Sequence, residues 1–114
     1  ILISCCDGTL NQLKISFSKS KSICVVLCSN GYPEKYTKGE KIELPNDSVN
    51  TKIFHAGTKL DNNNIYSNGG RVLCATALGK DIQQAQTKAY QLLDKVDWQG
   101  AYYRTDIGFK AIES

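Results

Sequence analysis

The sequence predicts an α+β domain: a mainly antiparallel sheet with one amphipathic helix, residues 81–96, packed on it. Three observations carry this prediction. Within 81–96, Ile82, Ala85, Ala89, Leu92, Leu93 and Val96 recur at three- and four-residue spacing, which draws one apolar stripe along a helix. The apolar runs at 23–28, 52–56 and 71–78 are too short for helices and lie among Gly, Pro and Asn clusters, the punctuation of strands. Strand patterns follow one another with a single strong helix pattern among them, so the alternation that builds a parallel, doubly wound sheet is missing. At 114 residues the chain has the size of one domain and can bury a core without staples.

Each element has its own reason. Residues 1–6 are apolar with no cap or charged lead-in, and Gly8 suits the left-handed residue that ends a helix. The opening reads as the end of a helix that starts upstream, so the chain is expected to be cut from a longer one. Leu13, Ile15 and Phe17 alternate with Lys14 and Ser16, the pattern of a half-buried strand. Residues 18–22 form a polar turn. Residues 23–28, apolar throughout, read as a strand buried on both faces, and the two strands are expected to pair as a hairpin. Gly31, Pro33 and Gly39 break the chain into a loop, and the polar stretch 41–50 is expected to be an exposed excursion. Residues 52–56 form the next strand. Residues 60–65 make a turn built on Asp-Asn-Asn-Asn, leading into a short strand at Ile65 and Tyr66. Asn68-Gly69-Gly70 is a tight turn, because Asn and Gly accept positive φ at low cost, and 71–78 is a strand. Asp81 caps the helix, and Gln84 three residues later completes a pair of the capping-box kind. The predicted core is Ile23, Val25, Val26, Leu27, Ile53, Val72 and Leu73 beneath the helix stripe.

Composition narrows the function classes. The net charge is only +3, its lysines are spread through the first third without interleaved aromatics, and arginine is nearly absent; this describes a solvated face and no nucleic-acid partner. The longest apolar run is too short to cross a bilayer, and no basic segment precedes an apolar one at the start, so neither a membrane partner nor a signal peptide is expected. The cysteines are odd in number, at 5, 6, 24, 28 and 74. Cys24 and Cys28 sit four apart on a strand, on one face but too distant to share a tetrahedral metal. No metal site is expected. Small buried thiols in a reducing, cytoplasmic setting fit the pattern. Walker-type, dinucleotide and zinc patterns are absent.

Four places draw attention for chemistry. Asn68–Leu73, NGGRVL, joins two glycines, which let backbone amides approach a ligand, to Arg71, whose planar fork suits phosphate or carboxylate; a plain hairpin turn with an exposed Arg accounts for the same residues. His55 is the only histidine and a general base in principle, but no Ser, Cys or acid is spaced to work with it, and a hydrogen-bonded structural role is favoured. GYPEKY at 31–36 is either a connecting loop with packed tyrosines or the rim of a site shared with another domain. Arg104 and Asp106 are expected to form a local ion pair that anchors the tail.

The segments CVVLCSNGYPEKYTKGEKI, KIFHAGT and NGGRVLCATALGKDIQQAQTKAYQLLDKVDWQGAYYRTDIG, in this order and spacing, resemble the C-terminal domain of the phosphoribosylamine–glycine ligase family of ATP-grasp enzymes. The resemblance covers nearly the whole chain. It implies the rudimentary single-hybrid-type fold that ends such ligases, with 1–114 as that one domain. It implies an enzyme that joins phosphoribosylamine and glycine in purine synthesis, hydrolysing ATP to ADP and phosphate. The glycine carboxylate becomes an acyl phosphate that the amine attacks, because an amine cannot displace oxide from a carboxylate. ATP and Mg2+ are expected mainly outside this chain, on upstream ATP-grasp domains, with an acidic R-F-G-D-P-E-like segment before residue 1. The resemblance puts no catalytic residue here and favours substrate binding at Gly69, Gly70 and Arg71, so the 114 residues alone are expected to be inactive. A free-standing α+β binding or lid module without catalytic activity is the alternative. A small thiol enzyme using Cys24 or Cys28 is a further one, lacking a nearby basic activator.

Overall fold

The computed structural model describes all 114 residues, in the order α1 (Leu2–Cys6), a short 3-10 turn (Leu10–Gln12), β1 (Lys21–Ser29), β2 (Lys41–Ile42), β3 (Thr51–His55), β4 (Thr58–Asp61), β5 (Asn64–Ser67), β6 (Arg71–Gly79), α2 (Ile82–Leu93), β7 (Ala101–Tyr102) and α3 (Phe109–Glu113). Two antiparallel sheets form, one of order β3-β6-β1-β7 and one of order β2-β5-β4. The α+β prediction holds.

The core sits between the larger sheet and α2. In register, Ile23, Val25 and Leu27 of β1 oppose Ala77, Ala75 and Leu73 of β6, and Ile53 of β3 joins the row at Ala75. All are buried, beneath Ala85, Ala89, Leu92 and Leu93 of α2. Alanines at the contact let helix and sheet approach closely, while burying each leucine contributes roughly 1.5–3 kcal/mol. The Asp81 carboxylate accepts from the Gln84 amide at 2.8 Å, and Gln84 Oε1 accepts from the Lys80 amide at 2.9 Å. The helix stops at Leu93 rather than 96, because the amides of Lys95 and Val96 turn back to carbonyls three residues earlier. Val96 still packs on the core beyond it.

Four expectations are corrected, and the tail shows elements that none of them covered. Residues 13–17 form no strand and no hairpin with β1: their apolar alternation is present, but residues 14–17 make no backbone hydrogen bond, and β1 pairs with β6 and β7 instead. A strand exists only through its neighbours. β1 is buried on one face, not two, and Val26, expected in the core, is 37% exposed. The stretch 41–50 is not wholly an excursion: Ile42 is buried in β2, and Glu43 bridges to Asp97 by paired backbone bonds. Thr58–Asp61 is a strand that the turn reading overlooked; Asn62 and Asn63, both at positive φ, close the tight hairpin to β5. The tail holds β7 and α3, too short to show a period in the sequence.

The leading segment behaves differently from the body. α1 forms and Gly8 takes a φ of +68° after it, as expected, but no residue of α1 is buried. Phe17 is 90% exposed. This segment stands away from the body, so the radius of gyration is 16.6 Å, against about 13 Å for a compact domain of this length.

Candidate functional site

Three loops singled out in the sequence meet at one end of the larger sheet. Gly31–Tyr36 follows β1, Ala56-Gly57 joins β3 to β4, and Asn68-Gly69-Gly70 joins β5 to β6. The Ser29 amide donates to Gly70 O and its hydroxyl to Gly69 O, both at 2.8 Å. The amides of Ala56 and Gly57 share Val72 O at 2.9 and 3.1 Å, and the Asn68 amide donates to Gly57 O at 2.7 Å. The turn is therefore held from both sides.

The glycines have local reasons for being glycines. A Cβ on Gly57 would stand 2.6 Å from Arg71 O and 3.1 Å from Gly69 Cα, so two backbones touch here. A Cβ on Gly70 would overlap the ring of Tyr32, which roofs the turn and meets Tyr36 edge-on at 5.9 Å between ring centroids. Neither the Gly69 nor the Gly70 amide donates to a protein acceptor. Gly69 is half-buried, whereas Gly70 is buried.

Arg71 leaves this turn at the head of β6 with an exposed side chain. The ion pairs of the chain are Lys41–Glu43, Lys52–Asp47 and Arg104–Asp106, so the Arg71 guanidinium has no carboxylate partner. Its field reaches the neighbouring thiols. Burial pushes the Cys28 thiol up, and the Arg71 cation pulls the other way. Burial also raises Cys74, helped by the adjacent Cys24. Raised thiols stay protonated at neutral pH, which removes support for Cys28 as an activated nucleophile. All five cysteines are free, but the expectation of small buried thiols is corrected: Cys5, Cys6 and Cys24 are exposed and Cys28 and Cys74 half-buried, because the strand cysteines lie on the sheet face that α2 does not cover.

The other candidates resolve simply. His55 Nδ1 lies 2.9 Å from Thr58 Oγ1 across the β3–β4 corner, a structural bond. Arg104 grips Asp106 through two bonds of 2.9 and 2.7 Å, and hydrogen bonding from Arg104 holds the Asp106 carboxyl below its ordinary range. The anchored segment is tied to α2 by the Tyr90 hydroxyl, which donates to Arg104 O at 2.6 Å and accepts from the Ile107 amide at 3.1 Å.

Sequence reasoning missed the supports of the site. Ser29 and Ser67 are buried, each serving loop backbone: Ser67 Oγ accepts from the Glu40 amide at 3.1 Å. Glu40 in turn accepts from Trp98 Nε1 at 2.9 Å. A serine closing an apolar strand was the available signal for Ser29. The largest cleft, about 410 Å3, lies beyond Glu40 and includes Glu43, Asp97 and Trp98 but not Arg71. Lys41, which is ion-paired to Glu43 at 3.2 Å, also lines this cleft, so Glu40, Glu43 and Asp97 leave it net acidic.

The fold agrees with what comparison shows. Residues 22–110 match the family model described as phosphoribosylglycinamide synthetase, C domain. The chain belongs to that family. A phosphoribosylamine–glycine ligase of Vibrio cholerae is 49% identical over 107 residues, covering 92% of this chain and 25% of the relative. One from Salmonella typhimurium is 43% identical over 116 residues, covering 99% and 27%. The crystal structure of phosphoribosylamine–glycine ligase from Thermotoga maritima superposes with a TM-score of 0.70 at 40% identity, over 75% of this chain and 21% of that one. This C-domain chain thus spans about a quarter of the length of the curated relatives it matches.

Proposed function

We propose that this chain is the C-terminal domain, residues 1–114, of an ADP-forming ligase that joins phosphoribosylamine to glycine in cytoplasmic purine synthesis. Its relatives carry that ligase name, and its own residues supply one feature the reaction needs. That feature is Arg71, a guanidinium without a carboxylate partner beside two unengaged glycine amides. A fork-shaped donor next to the half-buried Gly69 N–H suits a phosphomonoester such as that of phosphoribosylamine. In this reading Arg71 and the Gly69 amide hold the substrate phosphate, while Gly70 shapes the turn under Tyr32.

The remaining chemistry is assigned elsewhere. No group of three or more His, Cys, Asp or Glu side chains is placed to hold a metal ion. ATP, Mg2+ and the activation of glycine as an acyl phosphate belong to upstream ATP-grasp domains. No helix is long and apolar enough to cross a membrane. This domain's task is to position one substrate against chemistry done by its neighbours.

The deciding experiment is Arg71→Ala in the longer protein. Loss of a charge-assisted hydrogen bond typically costs about 1.5–3 kcal/mol, so kcat/KM for phosphoribosylamine is expected to fall roughly 10- to 100-fold while the ATP and glycine dependences change less. Unchanged kinetics with a lowered melting point would make Arg71 a structural anchor. The 114-residue chain alone is expected to form no ADP with all substrates present; turnover by it would overturn the division of labour.

A further inference from the structure

We propose that Ser29 is a positioning residue for the phosphate site: it fixes the register of β6 beyond a bulge at Val72 and so holds Arg71 on the open face of the sheet, beside Gly69. This deepens the reading of Arg71 as a phosphate ligand and rests on it. β1 and β6 pair in step from Lys21 with Gly79 to Leu27 with Leu73, but the next residue, Cys28, pairs with Arg71. Val72 is therefore an extra residue without a partner in β1, and Val72 and Leu73 are buried in succession. A bulge of one residue reverses the alternation of what lies beyond it. Counted in twos from Ala77 and Ala75 through Leu73, position 71 belongs to the face beneath α2. There a guanidinium would be buried without a carboxylate, which is costly. The bulge brings Arg71 opposite Cys28 instead, and directly opposed residues share a face. Arg71 accordingly lines a cavity of about 230 Å3 with Cys24, Val26 and Cys28, on the side that α2 leaves open.

A bulge does not hold its own register; Ser29 does. It continues the buried row of Ile23, Val25 and Leu27 and is the polar member of that row. Packing there calls for no hydroxyl, and a buried hydroxyl must be paired. All three polar groups of Ser29 are engaged around the turn. Its amide donates to Gly70 O and its hydroxyl to Gly69 O, both at 2.8 Å, and its carbonyl accepts from the Tyr32 amide at 3.1 Å. The amide bond continues the ladder beyond the bulge, and the hydroxyl adds a second grip one residue further out. Two successive carbonyls are thereby fixed. Between them lie the two dihedrals of Gly70, the freest joint from which Arg71 extends. The third bond ties the Tyr32 roof to the same serine. A guanidinium whose backbone root is fixed loses less freedom on gripping a phosphate.

The test is a double-mutant cycle in the full-length protein: wild type, Ser29→Ala, Arg71→Ala and the double variant, with kcat/KM measured separately for phosphoribosylamine, glycine and ATP. Ser29→Ala is expected to lower kcat/KM for phosphoribosylamine about tenfold by misplacing the cation. The values for glycine and ATP should move by less than about twofold, and so should all three when Ser29→Ala is added to Arg71→Ala, because the side chain it acts through is then gone. An equal loss in both backgrounds, a loss shared by all three substrates, or no loss at all overturns the inference. Where Arg71→Ala is itself silent, the phosphate reading fails and the inference falls with it. Where Arg71→Ala is defective and Ser29→Ala is not coupled to it, only the inference fails. If Ser29→Ala does not fold, Ser29→Cys, close in size and a weaker donor, takes its place in the same cycle and the same outcomes decide.

Discussion

The two faces of the larger sheet both carry apolar residues and have opposite surroundings. On one, Ile23, Val25, Leu27, Ile53, Leu73, Ala75 and Ala77 lie buried under α2. On the other, Val26, Phe54 and Leu78 are open and the three strand cysteines are open or half-covered. The open face also carries Lys52, Thr76 and Arg71 among its apolar residues, so the faces differ in charge as well as in cover. Burial, not residue type, sets what a side chain contributes to stability, so the helix-covered face stores the stability of this domain and the open face stores little. The same difference separates the domain's structural half from the half available for contact with other parts of a longer chain.

The comparison is broken or sharpened by substitutions on each side of it. Leu93→Ala removes a buried side chain from the covered face and is expected to cost about 2–5 kcal/mol in a denaturant titration. A loss under about 0.5 kcal/mol would show that α2 is not docked. Gly70→Ala forces a methyl group into the Tyr32 ring at the end of the sheet, and strain of this kind costs typically about 1–3 kcal/mol, read as a lowered denaturation midpoint. Val26→Ser on the open face should change the stability of the 114-residue chain by no more than about 0.5 kcal/mol, and a core-sized loss would mean that this face is covered even here.

The smallest expected effect is at the tail. Asp106 is depressed by its bonds from Arg104, so the pair's contribution is present above the ordinary carboxylate pKa and is lost as pH falls through the lower folded value. Both groups are exposed, and salt and water screen the pair. By NMR the Asp106 titration should sit below that of a free aspartate and move up in Arg104→Ala, with the melting point hardly changed.

Much of the architecture was legible because its causes are local. The helix over 82–93 follows from a stripe, a cap and a partner for the cap, all within one stretch. The strands at 23–28, 52–56 and 71–78 follow from apolar runs between turn residues, whereas Asn68-Gly69-Gly70, expected as a tight turn at positive φ, has no residue at positive φ and joins strands of two different sheets. The supposed strand at 13–17 failed because alternation states only that a strand is possible; its partner must come from elsewhere. The short elements β2, β4 and β7 were missed for the converse reason, since two to four residues carry no readable period and exist through their pairing.

The sequence by itself determined the class of fold, the docked helix, and the segments by which the family is known. Those depend on propensity, period and identity, which a linear chain displays. Only the tertiary structure decided that Ser29, Gly57 and Gly70 together pin one turn, that Tyr32 roofs it, and that Arg71 emerges beside it without a carboxylate to pair with. It alone decided which face of the sheet the helix takes. Those outcomes depend on residues some forty positions apart meeting in space, as Ser29 and Gly69 do, and no local pattern encodes such a meeting.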